Sequence, residues 1–254
     1  MRSRAISSRP LSPRILTAIP VYNEERHVLD VLNTVREWCD DILVVDDGSS
    51  DGTPLLLQEM VGISVIRHNP NQGYGGALRS AFQFAIEHDY DVLVTIDCDG
   101  QHQPQFIPEM AAAVYPPGER PYDIVSGSRY LKAFDGNSLP PEERRSINMH
   151  VNRRLESCYG LTLTDSFCGF KAYRIEALKK FEITELGYAL PLQLWVQAVR
   201  HRMRIREFAV PLIYTDEERS FGESLDVAAT RLAYYEEVLK REMELQNAPC
   251  GSNR

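Results

Sequence analysis

Five short apolar runs constrain this chain more than any other feature, because each is closed by a polar or glycine-rich cluster. They are Arg14 to Ile19, Ile42 to Val45, Ile63 to Ile66, Val92 to Ile96 and Asp123 to Ser126. Each is too short for a buried helix and most are rich in β-branched residues, as in strands covered on both faces. Segments with helical spacing lie between them. Val28, Leu29, Leu32, Val35 and Trp38 form one stripe within Glu24 to Trp38. Further helices are expected from near Pro54, from Ala77 to about His88 and from Gln105 to Val114. Strands alternating with helices over short turns describe an α/β domain with a mostly parallel sheet. In such a sheet the clusters after successive strands gather on one edge, where open α/β sheets bind ligands.

The richest cluster follows Ile96 and reads Asp97-Cys98-Asp99-Gly100-Gln101-His102. Residues i and i+2 of an extended segment point the same way, so Asp97 and Asp99 can present oxygens to one spot. With the amide oxygen of Gln101 they suit a hard divalent cation, and such a cation suits a diphosphate. The same letters also fit an acidic turn with no ligand. After the first run, Pro20 is expected to stop the strand, and Tyr22 and Glu24 follow it. After the second come Asp46 and Asp47, and after the third Gly73, Gly75 and Gly76, which allow a tight turn or close backbone approach. Arg129 follows the fifth run. Arg144 stands where a loop read as mobile, Lys132 to Glu143, meets the next helix, and Arg219 lies in a late charged loop. Guanidinium groups bind phosphate oxygens bidentately, so three converging arginines would hold a phosphate.

The second half adds helices at Arg144 to Tyr159, Leu190 to His201 and Leu225 to Gln246. It also adds a turn entering a strand at Thr164 to Arg174 and an extended segment from Arg204 to Tyr214. A net charge of −8 argues against nucleic acid as a partner. Cys39, Cys98, Cys158, Cys168 and Cys250 are odd in number and unpaired in spacing, which fits free thiols in a reducing, cytoplasmic setting. No apolar run approaches the ~18 residues of a membrane span. Residues 1–13, with Arg2, Arg4 and Arg9 among serines and prolines, read as a disordered basic leader. Residues 14–222 read as one domain, with a helix and tail over 223–254 packing on it.

Several of these pieces together resemble the inverting family-2 glycosyltransferases of the GT-A fold, a Rossmann-like, mostly parallel central sheet flanked by helices. Within that family the likeness is to the polyprenyl-phosphate sugar transferases. The motifs that carry it are Ile19-Pro20-Val21-Tyr22-Asn23-Glu24, Val44-Val45-Asp46-Asp47-Gly48-Ser49, Asn71 to Ala77, Asp97 to His102, Gly127-Ser128-Arg129-Tyr130, and Asp165 with Gly169-Phe170. They run in the family's order. The resemblance implies that Pro20, Tyr22, Glu24, Asp47, Gly73 and Asp97 bind the donor nucleotide. It implies that Asp97, Asp99 and Gln101 hold Mg²⁺ or Mn²⁺, and that Arg129, Arg144 and Arg219 take the acceptor phosphate. Asp97, Asp99 and Arg129 would then be the catalytic set.

The implied reaction moves a hexose from a nucleotide sugar, GDP-mannose or UDP-glucose, to a polyprenyl phosphate. A phosphate monoester is largely anionic at neutral pH, with a second pKa near ~6, and attacks without a protein base. Positioning and charge compensation are then the protein's task. Alternatives are a transferase of the same fold acting on a soluble or envelope glycan, and a sugar-nucleotide-binding subunit without catalysis. Two departures stand out. Leu225 follows the late Arg219 to Ser224 loop where relatives often have a lysine, and the membrane spans that many relatives carry are absent. Membrane access is therefore expected to be peripheral, through the final helix or the Lys132 to Glu143 loop, or through a membrane partner subunit.

Overall fold

The computed structural model describes residues 13–214 and 223–247. One seven-stranded sheet organises them, in the order β3-β2-β1-β4-β6-β5-β7. Its strands are β1 (Ile15–Val21), β2 (Asp41–Asp46), β3 (Ser64–Arg67), β4 (Val92–Thr95), β5 (Ile124–Ser128), β6 (Lys171–Arg174) and β7 (Ile205–Ala209). β1 pairs in parallel with β2 and β4, and β5 with β7. Only β6 reverses, lying antiparallel between β4 and β5.

Side-chain alternation assigns the two faces. Leu16, Ala18, Leu43, Val45 and Leu93 join one buried cluster. Ile19, Val21, Ile42, Val44, Val92, Val94 and Ile96 join the other. The first face is covered by α3 (Tyr74–Glu87), α5 (Glu142–Tyr159), α6 (Ile175–Leu178), α7 (Leu190–Arg200) and α8 (Ala228–Asn247). The second is covered by α1 (Val28–Val35), α2 (Thr53–Gln58) and α4 (Ile107–Val114). Burial on both faces is what a parallel sheet requires, and it accounts for the continuous apolar runs.

Two expectations are corrected. Pro20 does not stop the first strand, which runs on to Val21, with Pro20 level with Val45. Ala18 turns its carbonyl to the Ile96 amide. Pro20, two residues on, faces the same side, beyond the last residue of β4, so its missing N–H costs no ladder bond. The Lys132 to Glu143 loop, read as mobile, is tied down at several points. Ser138 N–H donates to the Leu212 carbonyl at 2.8 Å, and the Leu212 and Tyr214 amides donate to Asn137 and Ser138 side chains at 3.0 Å each. The leader, except Pro13, and the segment holding Arg219 lie outside the described residues.

Candidate active site

The polar ends of β1, β2, β4 and β5 meet on one edge of the sheet, and each is built differently. After β1, Asn23 takes a left-handed φ of 55° and stitches two loops together. Its amide donates to Ser49 Oγ at 2.9 Å, and its Oδ1 accepts from the Ser50 amide at 2.8 Å. Tyr22 is left half exposed, and the Glu24 amide donates to Thr53 Oγ1. The expected nucleoside-side residues Pro20, Tyr22 and Glu24 therefore share one rim, pinned to the end of β2.

Asp47 behaves differently from the expectation. It is 3% exposed and both its oxygens are occupied by its neighbours. Oδ1 accepts from His68 Nδ1 at 2.6 Å and from the Gln72 amide at 2.9 Å, while Oδ2 accepts from the Gly73 amide at 2.8 Å. His68 Nε2 in turn faces Ser80 Oγ at 2.8 Å. The structure places Asp47 as the anchor of the 68–73 turn, with no oxygen turned out for a base. Gly73 is drawn into the same scaffold. Its N–H is used by Asp47 and Asn71, its φ is +86°, and a Cβ would stand 2.4 Å from the Leu186 carbonyl oxygen. The first amides of α3 are also taken, because the Leu186 carbonyl accepts from Gly75 and Gly76. A phosphate-cradling helix end is thus not what this glycine turn supplies.

Asp97 contrasts with Asp47. Its side chain is 27% exposed and meets two side-chain donors among the described residues. Tyr74 O–H donates to Oδ1 at 3.2 Å, and His102 Nε2 lies 3.3 Å from Oδ2. Burial alone would raise the Asp97 carboxyl, but His102, the Lys171 ammonium and Tyr74 outweigh it and hold the group below the usual carboxylate range. Gly169 makes the room: a Cβ there would stand 2.1 Å from Asp97 Oδ2. Asp99 Oδ1 accepts from the Gln101 amide at 3.0 Å, which closes the turn at Gly100 (φ +67°). Gln101 is buried, and its side-chain nitrogen has no partner among the described residues, like His102 Nδ1.

These residues fit an open divalent-cation site. No group of three His, Cys, Asp or Glu side chains among the described residues could form a protein-only cage. Asp97 and Asp99 offer two hard carboxylates, and Gln101 would add its amide oxygen. Mg²⁺-type ions are held in this way when substrate phosphates and waters complete the shell.

The far side of the edge is cationic. Asp165, fully buried, receives Arg129 in a bidentate grip, Nε at 2.7 Å and Nη2 at 3.0 Å, and also the Arg129 amide at 3.2 Å. Burial would raise Asp165, but Arg129 outweighs it and lowers the carboxyl. The turn carrying Asp165 is itself held from several directions. Glu207 on β7 accepts from the Thr164 and Asp165 amides, Asn148 on α5 accepts from Ser166 N–H, and Trp195 on α7 donates to the Ser166 carbonyl. Arg129 and Arg145 lie 5.8 and 3.8 Å from the Tyr130 ring centre, and Arg144 lies 5.9 Å from that of Tyr214. Of the three expected phosphate-binding arginines, Arg129 and Arg144 are placed on this rim. The motifs included Tyr74 without giving it a role and passed over His68, Lys171 and Glu207.

Residues 17–181 match Glycosyl transferase family 2. The chain belongs to that family. It is 34% identical over 221 residues to an undecaprenyl-phosphate mannosyltransferase of Micrococcus luteus, covering 83% of this chain and 86% of the relative. It is 31% identical over 221 residues to a dolichyl-phosphate hexose transferase of Haloferax volcanii, covering 86% and 90%. A polyprenol monophosphomannose synthase of Mycolicibacterium smegmatis is 30% identical over 215 residues, covering 81% and 78%. Among solved structures, glucosyl-3-phosphoglycerate synthase from Mycobacterium tuberculosis, held with Mn²⁺, UDP and its product, superposes with a TM-score of 0.70. Identity there is 18%, covering 91% of this chain and 80% of that one. The fold is thus GT-A, as the motif order implied, and the family-2 chain is a glycosyltransferase.

Proposed function

We propose that this glycosyltransferase moves a hexose from a nucleoside-diphosphate sugar to a polyprenyl phosphate, with inversion and with Mg²⁺ or Mn²⁺ on the donor diphosphate. The observation that carries the reading is the pairing on one sheet edge of a partly exposed, anionic Asp97 with an arginine rim around Arg129 and Arg144. The names of the three relatives support the polyprenyl phosphate.

Asp97, Asp99 and Gln101 would hold the cation, which offsets charge developing on the leaving nucleoside diphosphate. Tyr22 and Glu24 would receive the nucleoside, Tyr22 being half exposed beside the donor edge. Arg129, clamped by Asp165, presents a fixed guanidinium. Its charge is secure, because Asp165 outweighs burial and raises it well above its ordinary pKa. Arg144 and Arg219 would complete the acceptor grip. The acceptor phosphate needs no protein base, so the chain's own contribution is orientation and charge placement.

No helix among the described residues is long and apolar enough to cross a membrane. Contact with the cytoplasmic membrane face would be peripheral, through the final helix or the Lys132 to Glu143 loop. The test is a screen of radiolabelled GDP-mannose and UDP-glucose with a membrane lipid extract. Label is expected in the lipid phase for one donor. Label only in aqueous product would overturn the polyprenyl acceptor in favour of a soluble one. No transfer and no donor hydrolysis in any condition would overturn catalysis.

A further inference from the structure

Tyr74 opens α3 and lies 23 residues before Asp97, yet its hydroxyl reaches Asp97 Oδ1 at 3.2 Å. A phenol is protonated at neutral pH, so the hydroxyl donates and the carboxylate accepts. His102 Nε2 stands 3.3 Å from the other oxygen, Oδ2. Gly169 lies against the same carboxylate, where a Cβ would stand 2.1 Å from Oδ2 and 2.5 Å from Oδ1. Three separate segments therefore bound this one group. A carboxylate has about four lone-pair directions over its two oxygens. One on each oxygen is met, and the side chain stays 27% exposed. The capacity that remains opens outward, at an angle set by the groups behind it.

Tyr74 is itself held by a segment more than a hundred residues later. The Leu186 carbonyl accepts from the Gly75 and Gly76 amides at 2.7 and 3.3 Å. Missing side chains permit that approach on both sides of Tyr74. A Cβ on Gly75 would stand 2.5 Å from the Glu185 carbonyl oxygen, and one on Gly73 2.4 Å from that of Leu186. Tyr188 stacks on the Tyr74 ring, with centroids 5.7 Å apart and planes 17° apart. Glu185 ties this segment to the body of the protein. Its amide donates to Gln193 Oε1 at 3.0 Å, and its side chain accepts from the Gly187 amide at 2.9 Å and from Arg241 on α8 at 3.0 Å. The stack and the glycine contacts fix the ring without using its hydroxyl. Among the described residues, the hydroxyl's hydrogen bond goes to Asp97.

We infer that Tyr74 is a positioning residue, whose hydroxyl sets the angle at which Asp97 meets a divalent cation. This deepens the proposed function and rests on its metal reading. The last torsion of an aspartate is soft, so an unheld carboxylate samples a broad range of orientations. A cation that binds it must order it first. A carboxylate already held from behind has less freedom to lose. Hydrogen-bond partners of metal-binding groups typically matter about 10–100-fold in affinity or activity. Tyr74 shares the task with His102, which puts its effect near the low end of that range. A tyrosine needed only for packing would lose nothing of this kind when its ring is kept.

The test is Tyr74→Phe, which keeps the ring, the stack and the start of α3 and deletes one oxygen. Mn²⁺ alone is titrated by electron paramagnetic resonance into wild type, Tyr74→Phe and Asp97→Ala, and melting curves are taken beside it. Tyr74→Phe is expected to bind Mn²⁺ about tenfold more weakly than wild type, and Asp97→Ala more weakly still. The melting temperature of Tyr74→Phe should fall by no more than ~4 °C, as for one lost hydrogen bond in a chain of this size. A larger fall, or failure to fold, makes Tyr74 a packing residue and overturns the inference. Mn²⁺ binding weaker in Tyr74→Phe than in Asp97→Ala places the hydroxyl's action elsewhere and overturns it too. Equal Mn²⁺ affinity in wild type and Tyr74→Phe, with Asp97→Ala weakened, overturns the Tyr74 role and leaves the metal reading intact. A wild type that binds no Mn²⁺ and transfers fully in EDTA overturns both.

Discussion

Asp47 and Asp97 occupy comparable places, each just past the end of a parallel strand, each in an Asp-rich turn, yet they do opposite jobs. Asp47 is 3% exposed and accepts three hydrogen bonds from His68, Gln72 and Gly73. Asp97 keeps a 27% exposed side chain and meets one hydroxyl and one imidazole. The first carboxylate has its lone pairs satisfied internally and organises a loop. The second stays anionic with capacity left for something arriving from outside. The difference teaches that a strand-end aspartate becomes a site through the donors it is denied. Backbone amides converging on a carboxylate turn it into scaffold, whatever the motif around it says.

Three substitutions or conditions probe that contrast. The largest effect is expected from Asp97→Asn. Removing the charge that would face the cation should lower kcat/KM by about 10²–10³, as loss of a group stabilising developing charge does. The melting temperature should fall by no more than the acid effect described below, since an amide oxygen still accepts from Tyr74. A variant keeping half the wild-type rate would remove Asp97 from the site. Asp47→Ala should show the reverse profile. It removes the acceptor of the Gln72 amide and of His68 and leaves the Gly73 amide with Asn71 alone, roughly 3 kcal/mol at ~1 kcal/mol for each lost bond. For a chain of this size that is a fall of about 6–12 °C in melting temperature, at ~2–4 °C per kcal/mol. Transfer measured well below that temperature should survive. Loss of donor binding with an unchanged melting curve would return Asp47 to the nucleotide side.

The smallest effect is expected in acid. Asp97 and Asp165 both have folded pKa values held below the ordinary carboxylate range. A group lowered in the folded state adds stability that is complete above its unfolded pKa, near ~3.9, and is lost as pH falls through the folded value. Stability should therefore be level from neutrality to about pH 5 and decline below about pH 4. Chemical denaturation of wild type and Asp165→Asn across that range measures it. Asp165→Asn should be less stable at neutral pH and show a shallower acid decline, because Arg129 has lost its partner already. Parallel curves for the two proteins would separate the acid limb from this pair.

Much of the fold was written in local pattern. The runs ending at Val45, Ile66 and Ile96 gave strands at nearly the expected places, and the helical stripe through Val28, Leu32 and Val35 gave a helix. Pro20 was misread because a proline is harmful only where its N–H would be needed, and that depends on where the neighbouring strand ends. The reversed β6 was foreshadowed only as a strand after Asp165, since an antiparallel insertion leaves no mark in apolar spacing. The motifs name Asp97, Asp165, Arg129, Tyr74 and His102, but not which of them touch: Arg129 meets Asp165 across 36 residues and Tyr74 meets Asp97 across 23.

The sequence alone determined the alternation of strands and helices and the edge on which the polar clusters meet, because side-chain alternation along a strand is a local periodicity. It also determined the family, through motifs kept in order. Tertiary structure alone decided which of those polar residues turn inward and which stay exposed at the edge. That choice depends on groups from distant segments: Gln72 and Gly73 reach Asp47 across 25 and 26 residues, and the turn before β6 brings Gly169 beside Asp97. A carboxylate's chemistry follows from the donors and charges packed around it, and packing is not periodic in sequence.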